Sequence, residues 1–191
     1  MNGPLFYVMG PSGAGKDSVL GRARELLAAD ASVIFAHRYI TRPPEVSGEN
    51  HVALSGPEFA MRRTHGLFAF HWQAHGNHYG IGREIHAWRK AGLIVVVSGS
   101  REHFQGVAGV DPDTYPVLIT APAERLRERL AARGREDEAA AARRLERSDA
   151  YDVHDPRLIT ITNDGPVDDA ARTLVTALAM SRSAPAARLR A

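Results

Sequence analysis

The sequence predicts an α/β domain with a parallel central sheet covered by helices on both faces. Apolar runs typical of strands alternate along the chain with stretches of helical periodicity. The run Leu93–Val97 is unbroken and rich in β-branched residues, as expected of a strand buried on both faces. The first apolar run leads directly into a glycine-rich loop and then a helix, which is the order that a phosphate-binding loop requires.

Five apolar runs are the predicted strands of this sheet: Leu5–Met9, Val33–Ala36, Leu93–Val97, Val117–Thr120 and Leu158–Thr162. A helix follows the first loop, because apolar residues recur there at helical spacing from Val19 to Leu27. Further helices are predicted at Arg83–Ala91, Ala123–Arg133, Glu136–Ser148 and Asp168–Met180.

The segment 37–82 interrupts this alternation, since it is rich in Gly, Pro, His and aromatic residues and its apolar runs are short. Within it, the sequence SGPE at Ser55–Glu58 is a capping box that predicts a short helix through Arg63. The segment is interpreted as an inserted subdomain of short strands and one helix. The core of a single domain (1–181) then comprises 1–36, 83–132 and 149–181, and the tail 182–191 is expected to be disordered.

Composition excludes several classes of protein. A chain of 191 residues, 44% hydrophobic, suits one compact domain, and its longest apolar run is too short to span a membrane. The beginning of the sequence has no basic segment of the kind that opens a secretory signal. Without cysteine there is no disulfide framework and no thiolate metal site, so cytoplasmic residence is expected. A net charge of +2 gives no reason to expect a nucleic-acid partner.

The loop GPSGAGKDS contains the glycines and the lysine of a phosphate-binding loop. Backbone N–H groups between Pro11 and Lys16 can converge on a β-phosphate at the positive end of the following helix. Lys16 supplies a charge between the β- and γ-phosphates. The alternative is a glycine-rich turn without a ligand. The predicted nucleotide-binding residues are Gly10, Pro11, Ser12, Gly13, Ala14, Gly15, Lys16, Asp17 and Ser18.

One position of the loop departs from the usual pattern. The hydroxyl that normally follows the lysine and contacts Mg²⁺ is replaced by Asp17, and a hydroxyl appears one residue later, at Ser18. The strand Leu93–Val97 is followed by Ser98, where other phosphate-loop proteins often have an acid. Because Mg²⁺ prefers hard oxygen ligands, Asp17 and Ser18 are predicted to hold the magnesium of a bound nucleotide. The alternative for Asp17 is a first-turn acid that only complements the helix dipole.

Three histidines, His71, His75 and His78, raise the possibility of another metal site. The dipeptide Gly76-Asn77 predicts a turn between His75 and His78, so the three cannot share one helix face. A histidine metal site is therefore disfavoured.

The combination of GPSGAGKDS with AHRYITRPP, ENHVALS, HGNHYGIG, SGSR, RLAARGRE and NDG resembles the ribose 1,5-bisphosphate phosphokinase branch of the guanylate-kinase-like fold. The resemblance extends from Leu5 to Leu178. It implies transfer of the γ-phosphoryl group of ATP, with Mg²⁺, to the 1-phosphate of ribose 1,5-bisphosphate. It also implies that 37–82 binds the phosphorylated sugar and that 133–148 forms a mobile lid.

The same resemblance suggests roles for individual residues. Lys16, Arg133 and Arg144 would act on the transferring phosphoryl group, and Arg135 would contact ATP. The acceptor would be held by Arg38, Arg42, His51, Tyr79 and Arg101. Other arginines lie among acids on amphipathic helices and are expected to form solvated faces: Arg125, Arg127, Arg129, Arg143 and Arg147.

Departures from guanylate kinases argue against a guanine acceptor. Phe70 stands where those enzymes use a glutamate that recognises guanine, and the segment 98–100 lacks the expected aspartate. Glu45 lies near the place of a second phosphate-binding arginine, and His51 replaces a phosphate-binding tyrosine. Phosphate recognition through Arg42 and Tyr79 is retained. Two alternatives to the sugar phosphokinase remain, a guanylate kinase and a guanylate-kinase-like binding module without catalysis.

Overall fold

The computed structural model describes residues 2–43, 50–74, 76–107, 113–132 and 153–183. Its larger sheet has five parallel strands in the order β2-β7-β1-β8-β9. These strands are β1 (Leu5–Met9), β2 (Val33–Phe35), β7 (Ile94–Ser98), β8 (Thr114–Thr120) and β9 (Ile159–Thr162). All five strands predicted from apolar runs are present. Strand β8 begins three residues earlier than predicted, because Thr114, Tyr115 and Pro116 already pair with β1.

Both faces of the larger sheet are buried, and each supports one part of the hydrophobic core. On one face, Phe6 and Val8 pack with residues of the first and last helices, such as Val19 and Leu174. On the other face, Tyr7, between them in the sequence, belongs to a second cluster. Alternate residues of a strand point to opposite faces, so a strand covered on both sides is apolar at every position. This explains the unbroken apolar runs.

The helices of the described chain that flank this sheet are α1 (Lys16–Leu26), α3 (Glu84–Lys90), α4 (Arg101–Val107), α5 (Ala123–Ala132) and α6 (Val167–Ser183). Helix α4 is not predicted by the apolar pattern, and α6 extends two residues into the tail expected to be disordered. The predicted helix Glu136–Ser148 lies outside the described residues. No helix within the described ranges combines the length and apolar character needed to cross a lipid bilayer.

A smaller sheet comes entirely from the segment 37–82. It contains β3 (Arg38–Ile40), β4 (His51–Ala53), β5 (Phe68–Ala74) and β6 (Asn77–Gly82), in the order β4-β3-β6-β5. Helix α2 (Gly56–Thr64) covers one face through Phe59, which stacks on Phe68. The predicted cap of α2 is confirmed, since the hydroxyl of Ser55 accepts a hydrogen bond from the N–H of Glu58 at 3.2 Å.

Candidate active site

The glycine-rich loop connects the carboxyl end of β1 to the amino end of α1. At Gly10 a Cβ would lie 2.2 Å from the carbonyl oxygen of Ile119, so no side chain fits between the loop and β8. Gly15, the N-cap of α1, has φ of 77°, a conformation that favours glycine. Glycine is therefore required at Gly10 for lack of space and at Gly15 for its backbone conformation. The loop lies at the carboxyl edge of the parallel sheet, where α/β proteins bind ligands.

The first two residues of α1 form an ionic cluster with the smaller sheet. The ammonium of Lys16 lies 3.4 Å from the Oδ1 atom of Asp17. The guanidinium of Arg38, on β3, donates to the same oxygen at 2.9 Å. The Arg38 side chain is 10% exposed and that of Asp17 is 39% exposed, so the pair lies at the wall of a cleft. Two cations thus share one carboxylate beside the glycine-rich loop.

The cleft between the two sheets is lined by Asp17, Arg38 and Ser98, among other residues. Ser98 ends strand β7 and is 7% exposed. Its hydroxyl has no hydrogen-bond partner within the described part of the chain. An unpaired buried hydroxyl is unfavourable, so a polar ligand or a water in this cleft would satisfy it. Ser18, in contrast, is exposed on the first turn of α1.

Three of the predicted acceptor residues lie on neighbouring strands of the smaller sheet. Arg38 is in register with His51 on β4, and Ile40 is paired with Tyr79 on β6. Residues two apart in a strand share a face, so this register places Arg38, His51 and Tyr79 on one face. The Arg38 guanidinium lies 6.0 Å from the centre of the Tyr79 ring.

The other two predicted acceptor residues are placed on different segments. Arg42 follows β3 by two residues, while Arg101 begins α4, beyond the end of β7. The predicted set therefore comes from both the smaller sheet and the core.

Phe70 occupies an aromatic cluster between the two sheets. Its ring makes edge contacts with the rings of Tyr7 and His103, with ring centres 5.9 Å and 5.7 Å away, respectively. The Tyr7 hydroxyl lies 3.1 Å from Nδ1 of His103, and burial raises the pKa of Tyr7. Burial, together with the charge of His71, lowers the pKa of His103 below its ordinary value. The cluster is thus largely apolar, and Phe70 itself offers no hydrogen-bonding group.

Two side chains for which the sequence predicted no role at the site lie in contact with the glycine-rich loop. Asn163 directly follows β9, and its Nδ2 atom donates to the carbonyl oxygen of Ala14 at 2.7 Å. The guanidinium of Arg129, on α5, lies 3.4 Å from the carbonyl oxygens of both Gly13 and Ala14. The expectation that Arg129 belongs to a solvated face is therefore wrong. The sequence shows that Arg129 stands among acidic residues on an amphipathic helix, but it does not show that the side chain reaches the loop.

Several predicted residues lie outside the described part of the chain: Arg133, Arg135, Arg144, Arg143, Arg147, Glu45 and His75. Of the histidines, His71 is exposed on β5, while His78 stacks on Phe59 at 5.3 Å. Among the described residues, no group of three or more His, Asp or Glu side chains is arranged to hold a metal ion.

Comparison with known proteins identifies close relatives over nearly the whole chain. The chain is 52% identical over 89% of its length to the ribose 1,5-bisphosphate phosphokinase PhnN of Desulfomicrobium baculatum, of which it covers 91%. It is 49% identical over 92% of its length to the protein of the same name from Thiobacillus denitrificans, of which it covers 93%. No protein-family model matches the chain.

Among solved structures, the chain resembles the guanylate kinase of Anaplasma phagocytophilum with a TM-score of 0.69 at 18% sequence identity. The match covers 99% of this chain and 89% of that one. At this identity the likeness establishes the fold, which is the guanylate-kinase-like α/β fold that the sequence predicts.

Proposed function

The chain belongs to the ribose 1,5-bisphosphate phosphokinase family, and we propose that it phosphorylates ribose 1,5-bisphosphate with ATP. The products are 5-phosphoribosyl diphosphate and ADP. The observation that carries this proposal is the contact between Arg38 and Asp17. It brings a cation of the smaller sheet against the phosphate-binding loop, so a donor phosphate and an acceptor phosphate can be bound side by side.

ATP is the ligand of the glycine-rich loop. Backbone N–H groups and the amino end of α1 bind its phosphates, and the ammonium of Lys16 neutralises charge on them. The Lys16 side chain is only 14% exposed, which strengthens its interaction with an anion compared with a fully solvated lysine.

The acceptor is bound by Arg38, Arg42, His51, Tyr79 and Arg101, within and beside the inserted segment 37–82. Arginine suits this role because its planar fork matches the geometry of a phosphate. Phe70 argues against GMP as the substrate that receives the phosphoryl group. Its ring packs against Tyr7 and His103 and has no atom that could accept a hydrogen bond from guanine. A sugar bisphosphate needs several cations and no base-recognition group.

The reaction needs no catalytic base. The 1-phosphate of the acceptor has a second pKa of about 6 and is therefore already a dianion near neutral pH. One of its oxygens forms a bond to the γ-phosphorus, and the bond from that phosphorus to the bridging oxygen of ADP breaks, with its electron pair leaving on ADP. The protein's part is to position both anions and to neutralise their charge.

Magnesium is the metal proposed to accompany ATP. The donor set fits it: the Asp17 carboxylate is a hard oxygen ligand, and the same cleft is lined by the Ser98 hydroxyl, which has no hydrogen-bond partner among the described residues. Ser18, the other residue suggested by the sequence, is exposed and adjacent to Asp17. When bound, the ion would neutralise phosphate charge and orient the triphosphate.

The segment 133–148 is proposed to form a lid whose arginines complete the site. Arg133 and Arg144 would contact the transferring phosphoryl group, and Arg135 would contact ATP. Closure over the reactants would exclude water that could otherwise hydrolyse ATP. We place this ATP-dependent reaction in the cytoplasm.

A thermal-shift panel tests the ligand assignment. We expect ATP with magnesium, and separately ribose 1,5-bisphosphate, to raise the melting temperature, since a ligand of the folded state stabilises it. GMP at the same concentration should give a clearly smaller shift. A larger shift with GMP would favour a guanylate kinase. No shift with any of the three would favour a binding module without catalysis.

A further inference from the structure

Two carbonyl groups of the glycine-rich loop are held from outside the loop. The carbonyl oxygen of Ala14 accepts a buried hydrogen bond of 2.7 Å from Nδ2 of Asn163. Arg129 approaches the same oxygen and that of Gly13 at 3.4 Å. The amide and the guanidinium come from different elements, the end of β9 and α5, so two parts of the core converge on one short stretch of backbone.

These contacts determine which way a peptide group points. No cis peptide bond occurs among the described residues. In a trans peptide the C=O and the N–H point in opposite directions. Because the Ala14 carbonyl is directed at Asn163, the N–H of Gly15 is directed away from Asn163. Donation to the carbonyl also polarises the peptide and makes its N–H a stronger donor to an anion.

The local packing leaves this arrangement little freedom. A Cβ on Gly15 would lie 2.5 Å from Nδ2 of Asn163, so the amide fits directly against the backbone. The backbone N–H of Asn163 donates to the carbonyl of Thr120 at 2.8 Å, which fixes the residue to β8. The position of the amide is therefore set by the larger sheet.

The environment of the Asn163 Oδ1 atom indicates that this residue does more than stabilise the fold. Asn163 is 4% exposed, and its Oδ1 atom has no hydrogen-bond partner in the described part of the chain. An unpaired buried oxygen is unfavourable, and an apolar side chain of similar size would avoid it. The asparagine is therefore better explained by what its Nδ2 does to the loop.

We propose that Asn163 and Arg129 are positioning residues that orient the Gly13–Gly15 backbone, so that the N–H of Gly15 faces the phosphates of ATP. The inference rests on the proposed function in that it takes ATP as the loop's ligand. Neither side chain contacts the nucleotide in this scheme. Their effect is on nucleotide affinity, and the sugar phosphate site on the smaller sheet is independent of them.

The test uses isothermal titration calorimetry on the full chain, with ATP plus magnesium and with ribose 1,5-bisphosphate titrated separately. The variants are Asn163→Leu and Arg129→Met, which remove the donors and preserve much of the volume. Asp164→Asn and Arg125→Met are matched controls, since both residues are exposed neighbours on the same segments. The melting temperature of every variant is measured alongside.

Loss of the Asn163 bond should raise the Kd for ATP about tenfold. Arg129→Met should raise it less, by about two- to fivefold, because contacts of 3.4 Å are long for hydrogen bonds. Both variants, titrated without ATP, should bind ribose 1,5-bisphosphate within about twofold of the wild type. The described hydrogen bonds of the Asn163 and Arg129 side chains are with the glycine-rich loop, not with the residues proposed to hold the sugar phosphate. Both controls should match the wild type for both ligands.

The inference is overturned if folded Asn163→Leu binds ATP like the wild type. Equal weakening of both ligands together with a lower melting temperature would also overturn it, because that pattern reflects a general loss of structure. If Asn163→Leu does not fold, Arg129→Met decides alone, and unchanged ATP affinity contradicts the proposal. A wild-type protein that binds no ATP is a different outcome, which defeats the proposed function itself.

Discussion

Arg38 of the smaller sheet donates a hydrogen bond of 2.9 Å to the carboxylate of Asp17, in the first turn of α1. The two residues are proposed to serve different ligands, Arg38 the acceptor phosphate and Asp17 the magnesium of ATP. Their contact means that the two ligand sites share one ion pair. A cation placed at Asp17 would compete with Arg38 for the carboxylate and leave the guanidinium more available to a phosphate.

Replacement of Arg38 should affect the acceptor more than the nucleotide. In Arg38→Ala the KM for ribose 1,5-bisphosphate should rise tenfold or more, as expected for about 1.5–3 kcal/mol in a hydrogen bond to a charged group. The KM for ATP should change far less. Steady-state kinetics with each substrate varied in turn measures both values. Arg63→Ala, an exposed arginine of α2, is the matched control. A larger effect on ATP than on the sugar would place Arg38 in the nucleotide site.

Replacement of Asp17 should change the magnesium requirement. Asp17→Asn keeps the shape and one acceptor oxygen but loses the charge, so its activity should need more magnesium and recover partly at high concentration. Asp17→Ser restores the common loop sequence and should be better tolerated. The measurement is kcat/KM for ATP as a function of magnesium, with the α1 variant Glu25→Gln as the control. Coincident curves for the wild type and Asp17→Asn would reduce Asp17 to a first-turn helix residue.

Lys16 is expected to act in the reaction and not in folding. Lys16→Ala should keep a melting temperature near that of the wild type, while phosphoryl transfer falls at least about 100-fold, the scale of losing one preorganised electrostatic contact. A coupled assay of ADP release measures the rate. Lys90→Ala removes an exposed lysine of α3 and should be neutral. Near wild-type turnover in Lys16→Ala would remove the loop lysine from the mechanism.

His103 should make the fold sensitive to mild acid. Burial holds its pKa below the ordinary value of 6.5, so the unfolded chain takes up a proton before the folded protein does. The contribution of neutral His103 to the free energy of unfolding is therefore fully present above pH 6.5, and it declines as the pH falls below this value. Urea unfolding at several pH values should show a smaller decline for His103→Gln than for the wild type. His65→Gln, at an exposed position of the chain, should retain the wild-type decline. Equal declines in all three proteins would contradict this assignment.

The larger sheet and the glycine-rich loop could be predicted because their signals are local. A strand buried on both faces must be apolar throughout, as Leu93–Val97 is, and a phosphate-binding loop needs its glycines at fixed spacing. Helix α4 could not be predicted from the apolar pattern, because it has only seven residues and its main apolar side chains are Phe104 and Val107. Such a short segment contains too few apolar positions to establish a helical period.

The contacts that organise the site could not be predicted, because they join residues distant in the sequence. Asn163 and Ala14 are 149 positions apart, and Arg129 is 115 positions from Ala14. No spacing rule connects such residues. The sequence predicts both Asp17 and Arg38 as site residues, but their pairing depends on how the smaller sheet packs against α1. That packing is a tertiary property.

Phe70 connects the structure to the choice of acceptor. Its ring packs edge-on against both Tyr7 and His103. By the resemblance of the sequences, this is the position at which guanylate kinases use a glutamate to recognise guanine. A buried polar edge left unpaired costs about 1–3 kcal/mol per group, so a guanine base is disfavoured here. A ribose bisphosphate has no such edge.

The most direct test compares kcat/KM for ribose 1,5-bisphosphate and for GMP, with ATP and magnesium present and with the products identified by phosphorus NMR. We predict a higher kcat/KM for ribose 1,5-bisphosphate and the appearance of the diphosphate of 5-phosphoribosyl diphosphate. Lys16→Ala serves as the inactive control. A higher kcat/KM for GMP, with GDP as the product, would contradict the account and make the chain a guanylate kinase.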